Sequence, residues 1–272
     1  MNAYPHCLCG SNRIIVYPYK APSKKFSVLV CTDCGLGRSW PAPLSSDMIT
    51  DFYEERQDFH ERFDNLELWR GFVRPLLQRI KHQQVGGSLI DVGCNLGVLV
   101  AEARKEGYEA KGIDLSRSGL AFGAQQLNLA SYLNYGTLAD QHYPVESQEV
   151  LVYMHCLEHI EDPIIELKEA HRVLITNGLL AIEVPNYDSL WRYVLGGAWY
   201  GFSPLQHFWQ FSQRSLSALL EANGFKVVMV QKRLSMYHKI TPDLKGVLKF
   251  FIRLLSWLVN RGDKLIILAR AR

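Results

Sequence analysis

Three groups of residues have types and spacings suited to chemistry. In the first, "LIDVGCNLG" followed by "GIDLS", an apolar run ends in Asp91 and the chain turns through Gly93, Cys94 and Asn95. Gly97 then opens a helical pattern, and Asp114 closes the next apolar run 17 residues later. Glycines lack a side chain, so a ligand can lie against their backbone, and a helix starting there offers free N–H groups to a carboxylate or phosphate. Asp114 is placed to accept hydrogen bonds from both hydroxyls of a ribose. A dinucleotide fingerprint would need glycines at 93, 95 and 98, and the chain has Asn95 and Val98 instead. Asparagine is the residue that best tolerates the left-handed conformation after a glycine.

The second group is "HCLEH". His155, Glu158 and His159 stand at i, i+3 and i+4, which puts them on one face if the stretch is a helical turn. With His207 further on, they are the candidates for moving a proton near neutral pH. The third group is cysteine. "CTDCG" spaces Cys31 and Cys34 as one half of a zinc clip, and "HCLCG" supplies Cys7 and Cys9, with His6 as the alternative to Cys7. A closed four-ligand site leaves no open position for substrate, so this zinc is expected to be structural.

The elements that must position these groups can be read from hydrophobic periodicity. Residues 1–44 hold short β-like runs between the knuckles and are expected to form a zinc-ribbon-like β module. Residues 45–85 form a helical linker, in which Trp69, Phe72, Val73, Leu76, Leu77 and Ile80 recur at helical spacing. Pro75 is expected to kink that helix or start a second one. From residue 86 strand and helix patterns alternate, which argues an α/β domain with a mainly parallel sheet over 86–272. "KVVMVQK" and "DKLIILAR" are expected to close it as a hairpin-like pair at a sheet edge. Between positions 186 and 211 nine residues are Phe, Trp or Tyr, with a "GG" hinge. That segment suits a lid over an apolar or ring-shaped acceptor, and core packing is the competing use of its aromatics.

The composition is that of a globular chain, without a run apolar enough to span a bilayer or an N-terminal secretion signal. Six cysteines read as metal ligands or buried thiols, and the expected compartment is the cytoplasm. The net charge of +3 is uneven: residues 232–272 carry ten Lys/Arg against Asp243 and Asp263. Within them, a helical insertion at about 243–261 places Leu244, Val247, Leu248, Phe251, Leu254, Leu255 and Leu258 on one face. Packing of that face against the domain is the first expectation, and contact with a membrane surface the second.

The motif around Asp91 resembles the first motif of the class I S-adenosylmethionine-dependent methyltransferases, with Asn95 replacing the middle glycine. "CLEHIEDPIIELKEAHRVLITNGLLAIEVPN" and "HFWQFSQRSLSALLEANGF" are similar to later elements of the type 11/type 23 group. The resemblance implies a Rossmann-like seven-stranded sheet, mostly parallel, with an antiparallel last strand. It also implies that S-adenosylmethionine is held by Asp91, Gly93, Cys94, Asn95 and Gly97 at its methionine end and by Asp114 and Leu115 at its ribose and adenine. Thr137 and Leu138 would lie beside adenine, and Met154 and His155 near the sulfonium. His159 and His207 match the family's histidines and, with His155, are the candidate catalytic residues. "HCLEH" is also similar to the Glu-x-x-Glu-His metal motif of some ubiquinone-pathway and small-RNA methyltransferases, with His155 in the first position. A divalent ion at Glu158 and His159 is therefore a secondary expectation.

The expected activity is methyl transfer to a small-molecule acceptor, such as a metabolite, sugar or lipid-linked precursor. An RNA methyltransferase is the competing reading. The mild overall charge and the absence of an Asn/Asp-Pro-Pro-Tyr motif argue against nucleic acid. A non-catalytic scaffold on the same fold is the third reading, and it implies no cofactor binding.

Overall fold

The computed structural model describes residues 7–20, 25–43, 63–234 and 244–272. The N-terminal strands β1 (Ile14–Lys20), β2 (Lys25–Cys31) and β3 (Gly37–Trp40) form an antiparallel meander. Helix α1 (Leu66–Gln83) follows and buries Phe72, Val73, Leu76, Leu77 and Ile80. It runs on through Pro75 as one helix, so Pro75 does not start a second one.

The main domain then alternates. Strand β4 (Gly87–Val92), helix α2 (Val98–Lys105), β5 (Tyr108–Asp114), α3 (Arg117–Leu127) and β6 (Leu133–Tyr135) make its first half. Strand β7 (Gln148–Met154), α4 (Pro163–Val173) and β8 (Leu174–Pro185) follow. The chain continues through α5 (Leu190–Leu195), β9 (Trp209–Gln210), α6 (Gln213–Ala222), β10 (Phe225–Arg233), α7 (Leu244–Leu258) and β11 (Lys264–Ala271).

The sheet order is β10-β11-β8-β7-β4-β5-β6. Neighbours from β8 to β6 pair in parallel, and β11 runs antiparallel to both β8 and β10. Strand β10 is thus the edge, and β11 is drawn inside between β10 and β8. Its near-continuous apolar run, buried almost throughout, fits that central place. The sequence marks its helix starts locally: Ser116 caps α3, Asp162 caps α4 ahead of Pro163, and Ser212 with Ser215 forms a capping box on α6.

The N-terminal module is sewn to the segment at 186–211. Strand β9 pairs with β3, Gly37 opposite Gln210 and Arg38 opposite Trp209, so a four-stranded sheet contains a piece of the later chain. Phe26 and Val28 of β2 share a buried cluster with Tyr187, Trp191, Trp199 and Phe202. The aromatics expected in a lid are therefore mostly core. "GG" is no free hinge either, because a Cβ on Gly197 would stand 2.3 Å from the Lys20 carbonyl oxygen. That glycine allows β1 to pack against the segment's backbone.

Candidate active site

Beyond the carboxyl ends of β4, β5 and β7, the loop after Asp91 turns through three left-handed residues: Gly93 at φ 77°, Asn95 at φ 50° and Gly97 at φ 75°. The glycines serve the turn and its packing. A Cβ on Gly93 would lie 2.6 Å from the Cys156 sulfur, and one on Gly97 2.8 and 2.9 Å from Leu133 and Leu129 methyls. The loop could not hold this shape against those neighbours with side chains there. Gly97→Ala is accordingly expected to destabilise the fold by on the order of 3 kcal/mol in denaturant titration. Asn95→Gly, which adopts the same φ freely, should stay within ~1 kcal/mol; equal losses for the two would contradict this reading of the loop.

Asp114 at the end of β5 organises the loop, since its carboxylate accepts from the Asn95 amide at 2.7 Å and from the Ser116 amide at 2.8 Å. A carboxylate at this strand end is a strong acceptor with about four acceptor sites. No side chain caps the N-terminus of α2, whose first-turn amides are available to a ligand. Asp91 is buried, and burial with the nearby charge of Asp114 pushes its carboxyl well above the ordinary range. A bound ammonium group would draw it back down. These features fit an amino-acid nucleoside lying from Asp91 to Asp114.

Other expected cofactor contacts are placed differently. The Cys94 sulfur is buried against Gly112, and Leu138 is fully buried in the core, so neither side chain is offered to a ligand. Their main chains remain. Leu115 follows Asp114, half-buried. Thr137 is exposed, its amide and hydroxyl both donating to Asp140 at 2.8 and 2.7 Å. Met154 is half-buried at the end of β7.

Past Met154 lies the second cluster. His155 is left-handed at φ 55°, and a 3₁₀ turn spans Leu157–His159. The geometry pairs His159 with His207 rather than with His155: the two rings are 4.5 Å apart, edge to face. Ligating atoms of Glu158, His159 and His207 lie within 4.8 Å of one another. The His207 Nδ1 stands 2.8 Å from the Gly201 carbonyl, which can only accept, so Nδ1 carries the proton and Nε2 keeps its lone pair. Burial and the neighbouring His207 push His159 down to about 3, leaving it neutral. Both carboxylate oxygens of Glu158 are buried and accept no hydrogen bond. Burial would raise this carboxyl, but the contact with His155 leads the interactions that hold it at about 2.

His155 faces two carboxylates rather than the His159–His207 pair. Its Nδ1 is 3.4 Å from Glu158 and its Nε2 3.3 Å from Glu183, so both nitrogens face carboxylates. Burial and Lys264 lower its pKa, the two glutamates raise it, and the net direction is up. Between the two carboxylates, the ring ties Glu158 to Glu183. Sequence reasoning missed Glu183 and its partners Lys264, at 2.7 Å, and Arg233, at 3.7 Å. A lone acid inside the buried run "GLLAIEV" was the available signal.

The cysteines also converge. The sulfurs of Cys7 and Cys34 are 3.4 Å apart, those of Cys9 and Cys31 3.7 Å, and all four lie within 4.8 Å of one another. Tetrahedral zinc with ~2.3 Å bonds to sulfur needs sulfurs roughly 3.8 Å apart. Despite burial, backbone N–H groups of Cys34 and Asp33 draw the Cys31 thiol down to about 7. Burial pushes Cys34 up to about 11 and Cys7 upward as well. Without a cation, the four sulfurs cannot all ionise side by side. His6 lies outside the described residues. A cavity of about 380 Å3 separates this cluster from the turn that follows His159, bordered by Cys7, Leu36, Arg38, Glu161, Asp162 and Trp209 among others.

The sequence model of the family Methyltransf_23, a methyltransferase domain, matches residues 59–230. A ubiquinone biosynthesis O-methyltransferase of Psychrobacter cryohalolentis is 30% identical over 129 residues, 43% of this chain and 48% of that protein. A demethylmenaquinone methyltransferase of Lysinibacillus sphaericus is 22% identical over 56% of this chain and 70% of its own length. The chain thus spans about half the length of the first curated relatives it matches. Among solved structures, a SAM-dependent methyltransferase from Archaeoglobus fulgidus is similar with a TM-score of 0.57 at 18% identity, over 75% of this chain and 94% of that one. A possible histamine N-methyltransferase from Thermotoga maritima gives 0.59 at 19% identity, over 82% and 100%. The chain belongs to the methyltransferase domain family.

Proposed function

We propose that this chain is an S-adenosylmethionine-dependent methyltransferase that acts on a small-molecule acceptor through an ionisable hydroxyl, with His159 and His207 taking the proton. The observation that carries the reading is the Glu158–His159–His207 cluster, where a carboxylate and neutral imidazoles converge directly after β7. S-adenosylmethionine supplies an electrophilic methyl carbon on its sulfonium. Asp91 receives its ammonium group, the amides at the start of α2 its carboxylate, and Asp114 its ribose hydroxyls. The acceptor oxygen becomes nucleophilic as its proton passes to an imidazole lone pair, and Glu158 stabilises the imidazolium so formed. The names of the ubiquinone and menaquinone relatives support a ring-bearing acceptor, lipid-linked in its pathway context.

The same three side chains suit a divalent ion, because two imidazoles and one carboxylate match intermediate ions better than an all-oxygen site would. The buried, unbonded oxygens of Glu158 support that fit. His207 replaces His155 in the ligand set expected from sequence. Such an ion would lower the pKa of an acceptor hydroxyl.

The reading is tested by incubating the protein with methyl-labelled S-adenosylmethionine and separate metabolite, lipid and RNA fractions. Label is expected in an O-methyl group of a compound from the metabolite or lipid fraction. Label confined to RNA would overturn it.

For the cysteine cluster we propose structural zinc held by Cys7, Cys9, Cys31 and Cys34. X-ray fluorescence should find one zinc per chain. Cys31→Ser should lose it and lower Tm by several degrees, since β2 and β3 would lose their tie to the knuckle around Cys7 and Cys9. Full metal-free stability would refute the assignment.

A further inference from the structure

Helix α7 presents its apolar face outward. Ser256 is fully buried on the inner side, its hydroxyl donating to the Ile252 carbonyl at 2.7 Å, and Ile252 packs on the aromatic cluster of Phe26 and Trp191. Lys249 and Arg253, only half-exposed, share that side. The face expected to pack on the domain is exposed instead: Leu248 and Phe251 by 59%, Leu254 by 41%, Leu255 by 48% and Leu258 by 64%, with Trp257 by 69%. Nor is it isolated, because α5 lies against α7 and adds exposed Tyr193 and Val194. An apolar surface of this kind marks an interaction site.

Charge selects the occupant. Residues 244–262 contain no acid, while Lys245, Lys249 and Arg253 recur every four residues and Arg261 follows. Two copies pairing face to face would cover the apolar side chains but leave the cations at its flank unanswered, since the helix has no acid. An anionic bilayer surface answers them all. The helix has 15 residues, about 22 Å, which is short of the ~30 Å apolar core of a bilayer. Among the described residues no helix is long and apolar enough to cross a membrane. It can therefore lie on one. We propose that α7 docks the protein on the surface of a bilayer containing anionic phospholipid. The apolar face enters the acyl boundary, and the cations meet headgroup phosphates. This docking holds whatever the acceptor is.

Flotation of the full chain with vesicles tests it. Binding is expected to vesicles of phosphatidylcholine with added phosphatidylglycerol, and to be roughly tenfold weaker to phosphatidylcholine alone. Leu248→Ser/Phe251→Ser/Trp257→Ser should weaken it on the order of 100-fold while Tm and S-adenosylmethionine affinity stay unchanged. Lys249→Gln/Arg253→Gln should cost roughly tenfold on the anionic vesicles only. Wild-type protein that ignores anionic vesicles overturns the proposal, as does a triple variant that floats like wild type. A wild-type dimer that the triple variant abolishes, without vesicle binding, would make the face a subunit interface and overturn it equally.

Discussion

Asp114→Ala is expected to abolish measurable S-adenosylmethionine binding, weakening it by on the order of 100-fold or more in calorimetry. Hydrogen bonds to a charged acceptor contribute about 1.5–3 kcal/mol each, and two ribose hydroxyls would lose theirs. The loss should go further because Asp114 also fixes the loop proposed to lie against the ligand, through the amides of Asn95 and Ser116. Alanine would leave Asn95, at φ 50° between two glycines, without the acceptor that sets its amide direction. Asp114→Asn should fall between the two, since its carboxamide can accept through one atom only. Stability provides the control: Asp114 is half-buried at a strand end, so Tm should move little compared with Gly97→Ala. An alanine variant that binds as tightly as wild type would remove the ribose from Asp114.

His159→Ala should lower kcat by roughly 10²–10⁴-fold, the span of a positioned general base, and leave S-adenosylmethionine affinity within about twofold. The reason is placement. His159 sits beyond the Gly93–Gly97 loop, on the turn after β7, and its ring faces His207 and Glu158. His207→Ala should follow the same pattern to a smaller degree, because the Gly201 carbonyl orients that ring as a partner to His159. A general base and a metal ligand separate on addition of divalent ions. Wild-type turnover that falls on chelation mild enough to leave the cysteine zinc bound, and returns with Mn²⁺, assigns the cluster to metal; turnover indifferent to that chelation assigns it to proton transfer. An alanine variant with undiminished kcat would take His159 out of the chemistry altogether.

Much of this site was legible because it rests on local rules. A left-handed turn demands Gly or Asn, a buried strand reads as an apolar run, and a Cys-x-x-Cys loop presents two sulfurs whatever surrounds it. Asp91, Gly93, Asn95, Gly97 and Asp114 stand out on those grounds, and the cysteines come together as their spacing suggested. What sequence could not give was direction. Cys94 lies in the same loop, yet its side chain turns under β5 onto Gly112. His155 shares a pentapeptide with His159, but its left-handed backbone aims it at Glu183, whose pairing with Lys264 spans 81 positions.

The joining of β9 to β3 was hidden for the same reason, since two residues opposite each other across 173 positions leave no periodic trace. Helix α7 shows the limit most plainly. Its periodicity identifies an apolar face, and that signal is the same whether the face meets a core, a partner or a membrane.

The most direct measurement of the central reading is a methyl balance under turnover. S-adenosylhomocysteine released by the protein is counted against methyl groups gained by an isolated hydroxyl-bearing small molecule. One methylated oxygen for each S-adenosylhomocysteine, lost together in Asp114→Ala and His159→Ala, is the expected result. S-adenosylmethionine that binds tightly but yields S-adenosylhomocysteine only when RNA is supplied would contradict it.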